Sequence, residues 1–495
     1  MPPLAFEDTH ITVVWEKPSS GTAASYNIYA NGNKVGSVSK IAWPANSLTN
    51  LQLFFDITGL TPSTSYSILV RAVDASGIES PNSNTVVQAT TATPTTINVT
   101  SAPYSAVGNG TTTTTAALQS AINACPSGGK VLFPSGNKFL SGALYLKSNC
   151  TYEIEGTLLA SGKTADYQAG NNRFPIYGTG GVFGSVKYAD NYKGLLNTCG
   201  TPTTTDNSCV GVQNIRLTGA GTVQGNTSLA SAEGTDARGD LVNFAGIKGL
   251  YIAGLTFNQS SEHMLFVARS SNITIAKVNV QSKGISNGDG IDLVTAYADQ
   301  LTSNGPVGLL PTNAYIFGST WNTGDDCINL NAGTSAPGVA VGTPINGVHV
   351  FNNYTQAGHG GVVWGSFTAA GFKNVSAVEN SFDGTDVGLR FKTGSGHGGG
   401  IATLSGNDFG ALAKDNKVNN VGTGIVITNA YPDTTGMPAA PMGVFHDIVI
   451  SGLAGTASAA FAVDTGTKLT ISTSMTGSVS ISGVTNSVIN GVTYP

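Results

Sequence analysis

"GLYIAGLTFNQ" (249–259) and "SNITIAKVNVQS" (271–282) each carry two short runs in which apolar and polar residues alternate. Alternation with a period of two puts one face of an extended strand inside and the other outside. The same unit recurs as "NIRLTGAGTVQG" (214–225), "NAYIFGSTWNT" (313–323), "NGVHVFNNYTQ" (346–356) and "KNVSAVENSFDG" (373–384), each run closed by Gly, Asn or Ser. The starts at 249, 272, 313, 346 and 373 are about one solenoid coil apart, with insertions in the longer gaps. Irregular repetition of strand–turn–strand units predicts a right-handed parallel β-helix from about residue 105 to 495. Alternate Val, Ile and Phe would fill its bore, and stacked Asn would satisfy backbone groups at the turns.

The segments on the N-terminal side read differently. "HITVVWEKP", "ASYNIYANGNKVG" and "FFDITGLTPSTSYSILVRAVDASGIES" are strands broken by turn signals at the spacing of a β-sandwich. Residues 1–93 resemble a fibronectin type III domain, with Trp15 as core tryptophan and Tyr66 as the tyrosine that hydrogen-bonds backbone at a strand corner. Such a domain reads as a spacer or docking module. Residues 94–104 lie in a Thr/Pro-rich stretch, "ATTATPTTINVTSAP" (89–103), and read as a linker. A helix over 113–125, with Ala116, Leu118, Ile122 and Ala124 on one face, would cap the open end of the solenoid.

The chain has 495 residues, 64 of them Gly, with 40% hydrophobic and only 10% charged residues. That composition suits an all-β chain with many turns. A net charge of −5 without basic patches argues against a nucleic-acid partner. No apolar run reaches the roughly 18 residues that a membrane span needs. The first ten residues, "MPPLAFEDTH", lack the basic and apolar regions of a leader, so the expectation is either a cytosolic chain or a secreted one shown without its leader. Five cysteines leave two candidate pairs, Cys199–Cys209 across a short polar loop and Cys125–Cys150, with Cys327 over. None has zinc-site spacing, and the pairs favour an oxidising compartment.

Charges this sparse draw attention where they gather. "NTGDDCINLNAG" (322–333) sets Asp325 beside Asp326 before an apolar strand. A turn with one Asx-type hydrogen bond accounts for them equally well, and a bulge would turn both outward. "SNGDGIDLV" (286–294) brings Asp289 one coil earlier, where it would stack under 325–326, and Asp292, which reads equally as a turn residue. "AGHGGVVWGS" (357–366) adds His359, and "TDVGLRFKTGSGHGGG" (385–400) adds Arg390 and Lys392 on one strand face around an inward Phe391. A β-helix would turn that spacing into one outward patch. Crowded carboxylates cannot all ionise, so one keeps a proton as an acid while others activate water. Paired cations would hold an anionic sugar. Together these describe hydrolysis of a glycosidic bond between uronic acids.

"NGDGID", "TGDDCI", "GHGG" and "GLRFK", in that order, resemble the signature blocks of the polygalacturonases, glycoside hydrolase family 28. The stretch from "TTTTTAALQS" to "EIEGTLLAS" is similar to the start of that fold. The resemblance implies that Asp325 is the general acid, that Asp289 and Asp326 position and deprotonate water, and that His359 orients the acid. It further implies that Arg390 and Lys392 bind the substrate carboxylate, that Asn287 supports substrate binding, and that Tyr431 in "GIVITNAYPD" (424–433) is a subsite tyrosine. The family inverts configuration, which leads to an expected carboxylate spacing of roughly 6.5–9.5 Å. A secreted or periplasmic monomer without metal or cofactor is expected, acting on polygalacturonic acid or pectin oligosaccharides. The leading sandwich and the "HGGG" after "GLRFK" are closer to exo-acting bacterial members. Asn-Gly-Asp where Asn-Thr-Asp is usual, and Arg-Phe-Lys where Ile is commoner, depart from the pattern. "TAYADQLTSNGPVGLLPTNA" (295–314) is a longer insertion than compact members carry, suited to a loop beside the cleft. Cys327 is expected as a free buried thiol. Three rivals differ in class or substrate: endo action or a decorated polymer such as xylogalacturonan or rhamnogalacturonan, a calcium-dependent lyase, and a non-catalytic β-helix that only binds polysaccharide.

Overall fold

A computed structural model describes the chain except for residues 44–47, 168–193, 199–211, 229–238, 295–312, 334–343, 396, 398–409 and 433–443. From Thr96 onward the strands follow one another as rungs of a parallel solenoid, three strands to a typical coil. One coil runs Ile247–Ala253, Thr256–Asn258 and Leu265–Ala268, and the next runs Ser271–Ala276, Asn279–Gln281 and Ile291–Val294. Equivalent residues stack in register from coil to coil. Leu250 lies on Ile273, then Ala314, Val348 and Val375, all buried. Those rungs are the runs whose starts the repeat reading placed at 249, 272, 313, 346 and 373, so the predicted all-β solenoid is what the chain forms.

The turn before this column shows why so many runs begin with Asn. Asn149, Asn214, Asn272, Asn313 and Asn374 all have positive φ between 41° and 58°, and Gly249 and Gly347 fill the same position in intervening coils. Only Gly, and Asn among larger residues, visit this left-handed region readily. Their amides stack, with Asn313 Nδ2 donating to Asn272 Oδ1 at 2.7 Å and Asn214 Nδ2 to Asn149 Oδ1 at 2.8 Å. A second ladder is wholly buried: Asn380 Oδ1 accepts from Asn353 N at 3.0 Å, and Asn416 Oδ1 from Asn380 N at 2.9 Å.

The capping helix is Thr115–Ala124, and its buried residues are Leu118, Ala121 and Ile122. Ala116 and Ala124, expected on the same face, are exposed. At 3.6 residues per turn, positions 118, 121, 122 and 125 line one stripe, whereas 116 lies on the far side of the helix from 118. Cys125 closes that stripe in a disulfide with Cys150, while Cys327 is free and buried. The suggested Cys199–Cys209 pair and the insertion at 295–312 fall outside the described residues. The expected linker is partly structure of the solenoid itself, because Thr96–Asn98 pairs in parallel with Gly129–Phe133 as the first rung.

The N-terminal sandwich has a sheet of Asn33–Val38, Ser25–Ala30, Ser65–Val73 and Val86–Ala89, faced by the pair His10–Val14 and Phe54–Thr58. Tyr66 Oη accepts from Thr61 N at 2.9 Å, the corner hydrogen bond predicted for it. Trp15 packs on Tyr26 with ring centroids 5.2 Å apart but stays half-exposed at the rim, so Tyr26 is the buried aromatic centre. The domain is no free spacer. Its core continues into the outward residues Tyr251, Ala253, Ala276, Phe317 and Phe351 of the solenoid. Phe54 packs on Phe317 at 5.2 Å, and Phe317 stacks on Phe351 at 4.9 Å. Lys17 reaches Glu379 at 2.6 Å and Asp415 at 2.5 Å, and Lys277 reaches Asp56 at 2.6 Å. No helix among the described residues is long and apolar enough to cross a membrane.

Candidate active site

Asp325 and Asp326 lie in the turn between Thr320–Asn322 and Ile328–Asn331. The strand that follows is stitched to its neighbours in register, Ile291 under Ile328 and Val362 above it. Extending that register downward places Asp289 under Asp326, and the backbone agrees: Gly290 N donates to Asp326 O at 2.9 Å, and Cys327 N to Gly360 O at 2.8 Å. The stacking of 289 under 325–326 is therefore met, by a turn without a bulge at 325–326.

The two neighbours part company. Asp326 has 1% of its side chain exposed; Asp289 Oδ1 accepts its backbone N–H at 2.7 Å. Its Oδ2 accepts from Lys392 Nζ at 2.7 Å, and Arg390 approaches its Oδ1 at 3.6 Å. Asp325 keeps 20% exposure and meets His359 Nδ1 at 2.9 Å. Burial, then Asp326 alongside, pushes the Asp325 carboxyl above the usual range. Burial also pushes Asp289 well up, reinforced by Asp292 and Asp325 and opposed by His263. Burial opposes the charge on Lys392, but Asp326 outweighs it and raises the ammonium.

His359 comes from Tyr354–Trp364, and the glycines on either side let that strand run against the aspartate turn. A Cβ on Gly358 would stand 2.5 Å from Thr323 Oγ1 and 2.8 Å from Cys327 Sγ, and its φ of 141° disfavours a side chain anyway. A Cβ on Gly360 would stand 3.0 Å from Asp326 Oδ1. Arg390 and Lys392 share the outer face of Thr385–Lys392, while Phe391 points inward and stacks on Trp364 at 4.2 Å, as expected. Tyr431 joins them, its ring 4.9 Å from Lys392 Nζ and 5.8 Å from the Arg390 guanidinium. Asn287 is exposed at the turn before Asp289, with φ 51°.

At their nearest oxygens the three carboxylates are crowded together. One oxygen each from Asp289, Asp325 and Asp326 lies within 4.8 Å of the others. Part of this crowding is architectural: Asp289 and Asp326 occupy one register position on adjacent rungs, which a sheet holds about 4.8 Å apart. A cation would fit the same oxygens on distance alone, but Lys392 and Arg390 already face Asp326.

Two groups were not singled out in the sequence. His263 stands with Nδ1 2.8 Å from Asp240 Oδ1 and Nε2 3.3 Å from Asp289 Oδ2. Asp386, 73% exposed, lies 4.0 Å from His359 Nε2. "SSEHML" gave no motif, yet His263 precedes Leu265 by the same two residues as Asp289 precedes Ile291, and that offset was the available signal. Asp292, read equally as a turn residue, is instead in strand Ile291–Val294, where its Oδ1 accepts from Asn329 and Asn331, each at 2.9 Å.

The family model of glycosyl hydrolases family 28 matches residues 128–494, and that of the fibronectin type III domain matches residues 5–100. The chain is 29% identical over 523 aligned positions to an exo-poly-alpha-D-galacturonosidase of Dickeya chrysanthemi, covering 92% of this chain and 80% of that protein. A family 28 exopolygalacturonase of Yersinia enterocolitica superimposes with a TM-score of 0.80 at 22% identity, over 99% of this chain and 98% of that one. An exopolygalacturonase of Thermotoga maritima gives 0.60 at 20% identity, over 80% and 92%. The likeness to these structures extends to the fold, and the match over 128–494 includes every charged group of this site: the chain belongs to glycosyl hydrolases family 28.

Proposed function

We propose that the protein is an exo-acting polygalacturonase that hydrolyses, with inversion, the α-1,4 bond near a chain end of polygalacturonate. The observation that carries this reading is the division of labour in the aspartate turn: Asp325 at the solvent edge against His359, and Asp326 buried against Lys392 and Asp289. Asp325 is placed to give its proton to the glycosidic oxygen of the leaving sugar. Asp289 and Asp326, with 7% and 1% of their side chains exposed, are too deep to reach an anomeric carbon themselves. A water held between them and the sugar would lose its proton to one of them as its oxygen attacks, which inverts the centre. Asp325 ends ionised and the base ends protonated, and solvent exchanges the two protons.

Arg390, 21% exposed, offers the more accessible fork for a substrate carboxylate, while Lys392 holds Asp326. Tyr431 beside both cations, and Asn287 at the rim, would line the same sugar subsite. Exo action is supported by the likeness over sandwich and solenoid together to the Dickeya and Yersinia proteins. The Cys125–Cys150 disulfide and a polymeric substrate support a secreted or periplasmic site of action.

The test is incubation with polygalacturonic acid, following reducing ends and the anomeric configuration of fresh product by NMR. New reducing ends of inverted configuration, formed without calcium and without ultraviolet-absorbing unsaturated ends, are expected. Unsaturated products would make the protein a lyase. Tight polymer binding with no cleavage would make it a binding protein.

A further inference from the structure

The register that stacks Asp289 under Asp326 continues two coils further. Leu265 lies under Ile291 and Val242 under Leu265, so His263 falls beneath Asp289 and Asp240 beneath His263. The backbone follows: Leu241 N donates to His263 O at 3.0 Å, and Met264 N to Asp289 O at 2.9 Å. One column of turn positions therefore reads Asp240, His263, Asp289, Asp326 and Gly360. A basic side chain closes each end of the carboxylate pair. Lys392 reaches over Gly360 to Asp326 at 2.7 Å, and His263 stands 3.3 Å below Asp289.

We propose that His263 is a positioning residue of the reaction: as an imidazolium anchored by Asp240, it holds Asp289 ionised and oriented as the base end of the site. Nδ1–H donates to Asp240 Oδ1, which fixes the ring, and Asn243 Nδ2 in turn donates to Asp240 Oδ2 at 2.9 Å. Nε2–H then points at the next rung, 3.3 Å from Asp289 Oδ2 and 3.7 Å from Asp292 Oδ2. The charged groups facing the ring are Asp240 from the coil below, Glu262 beside it, Asp289 and Asp292 from the coil above, and Asp325 beyond. Burial opposes a charge on the ring, but Asp292, Asp240 and Glu262 outweigh it and raise the imidazole well above its ordinary value. Without that cation, Asp289 would face burial, Asp292 and Asp325 unopposed, and would compete with Asp325 for the proton the acid needs. This inference rests on the reading of Asp289 as a water-activating carboxylate.

The experiment is kcat and KM against pH on polygalacturonate for wild type, His263→Gln, Asp240→Asn and the double variant, each with a melting curve. The acidic limb of kcat/KM should move up by about one pH unit in His263→Gln. It should move less, in the same direction, in Asp240→Asn. At neutral pH, kcat should fall about tenfold or more with KM little changed. The double variant should be no worse than His263→Gln, since Asp240 acts through the ring. If His263→Gln does not fold, the displaced limb of Asp240→Asn decides alone. An unmoved acidic limb in the folded variants, with only a lower Tm, overturns the proposal. A wild type that cleaves normally while the limbs stay put would sink this inference alone, whereas a wild type that does not hydrolyse the polymer would sink the functional reading beneath it.

Discussion

Under the sandwich, the outward column of the solenoid runs Ala253, Ala276, Phe317, Phe351 and Val378; at the aspartate turn, a column set one coil lower runs Asp240, His263, Asp289, Asp326 and Gly360. Both are made by stacking one residue per coil, and both are largely buried. The first is hidden by another domain, so its aromatic rings need only apolar partners. The second is hidden by its own ions. In a solenoid, residues tens of positions apart become neighbours at a fixed rise, so the residue type in a column decides whether that column docks or reacts. The apolar column would be an aggregation-prone stripe if bare. The charged column is tolerable because its cations alternate with or cap its acids.

Breaking the charged column should have the largest effect. Asp325→Asn, Asp326→Asn and Asp289→Asn should each cut turnover by about 10²–10⁴-fold with folding intact, measured by reducing-end release and circular dichroism. For Asp325 the loss should come with added stability. Its folded carboxyl is raised, so the stability of its protonated form is present below the ordinary 3.8 and disappears as pH climbs through the folded value. Asp325→Asn should therefore melt above wild type at neutral pH, an advantage that disappears below about pH 4.

Breaking the apolar column should spare chemistry and cost stability. Phe317→Ala should lose about 3–5 kcal/mol in a denaturant titration, from a ring buried between Phe54 and Phe351. Catalysis per folded molecule should be unchanged. Gly360→Ala sharpens the comparison from the other side. A methyl at this position displaces Asp326 or Val363, and turnover should drop by up to about 10²-fold with little change in Tm.

The smallest effect should be at the charged edge of the domain contact. Burial works against the charge of Asp56, but His10, Lys277 and Thr12 outweigh it and hold the carboxyl below its usual range. Its contribution is present above the ordinary Asp value and fades as pH falls toward the depressed one. Asp56→Asn should lose about 1 kcal/mol or less at neutral pH, and less still in acid, by thermal melts across pH.

Much of this was legible because coil stacking translates local pattern into contact. The runs starting at 249, 272, 313, 346 and 373 gave the sheet, and four short charged blocks gave Asp289, Asp325, Asp326, His359, Arg390 and Lys392. His263 was not legible in the same way, because a lone histidine among "SSEHML" has meaning only once the 263–289 register is known. The helix face was misread at Ala116 and Ala124 because small residues give weak periodicity. The docking of the sandwich was invisible, since outward Phe317 and Phe351 look like ordinary strand residues until something covers them. The crowding of Asp289 against Asp326 was not legible either, because it exists only once the 289–326 register is known.

The most direct measurement is the early product profile from polygalacturonic acid, by anion-exchange chromatography with reducing ends counted alongside. Mono- or digalacturonate alone, accumulating linearly from the first time points, is the predicted result. A ladder of intermediate oligomers would show attack within the chain and contradict the account.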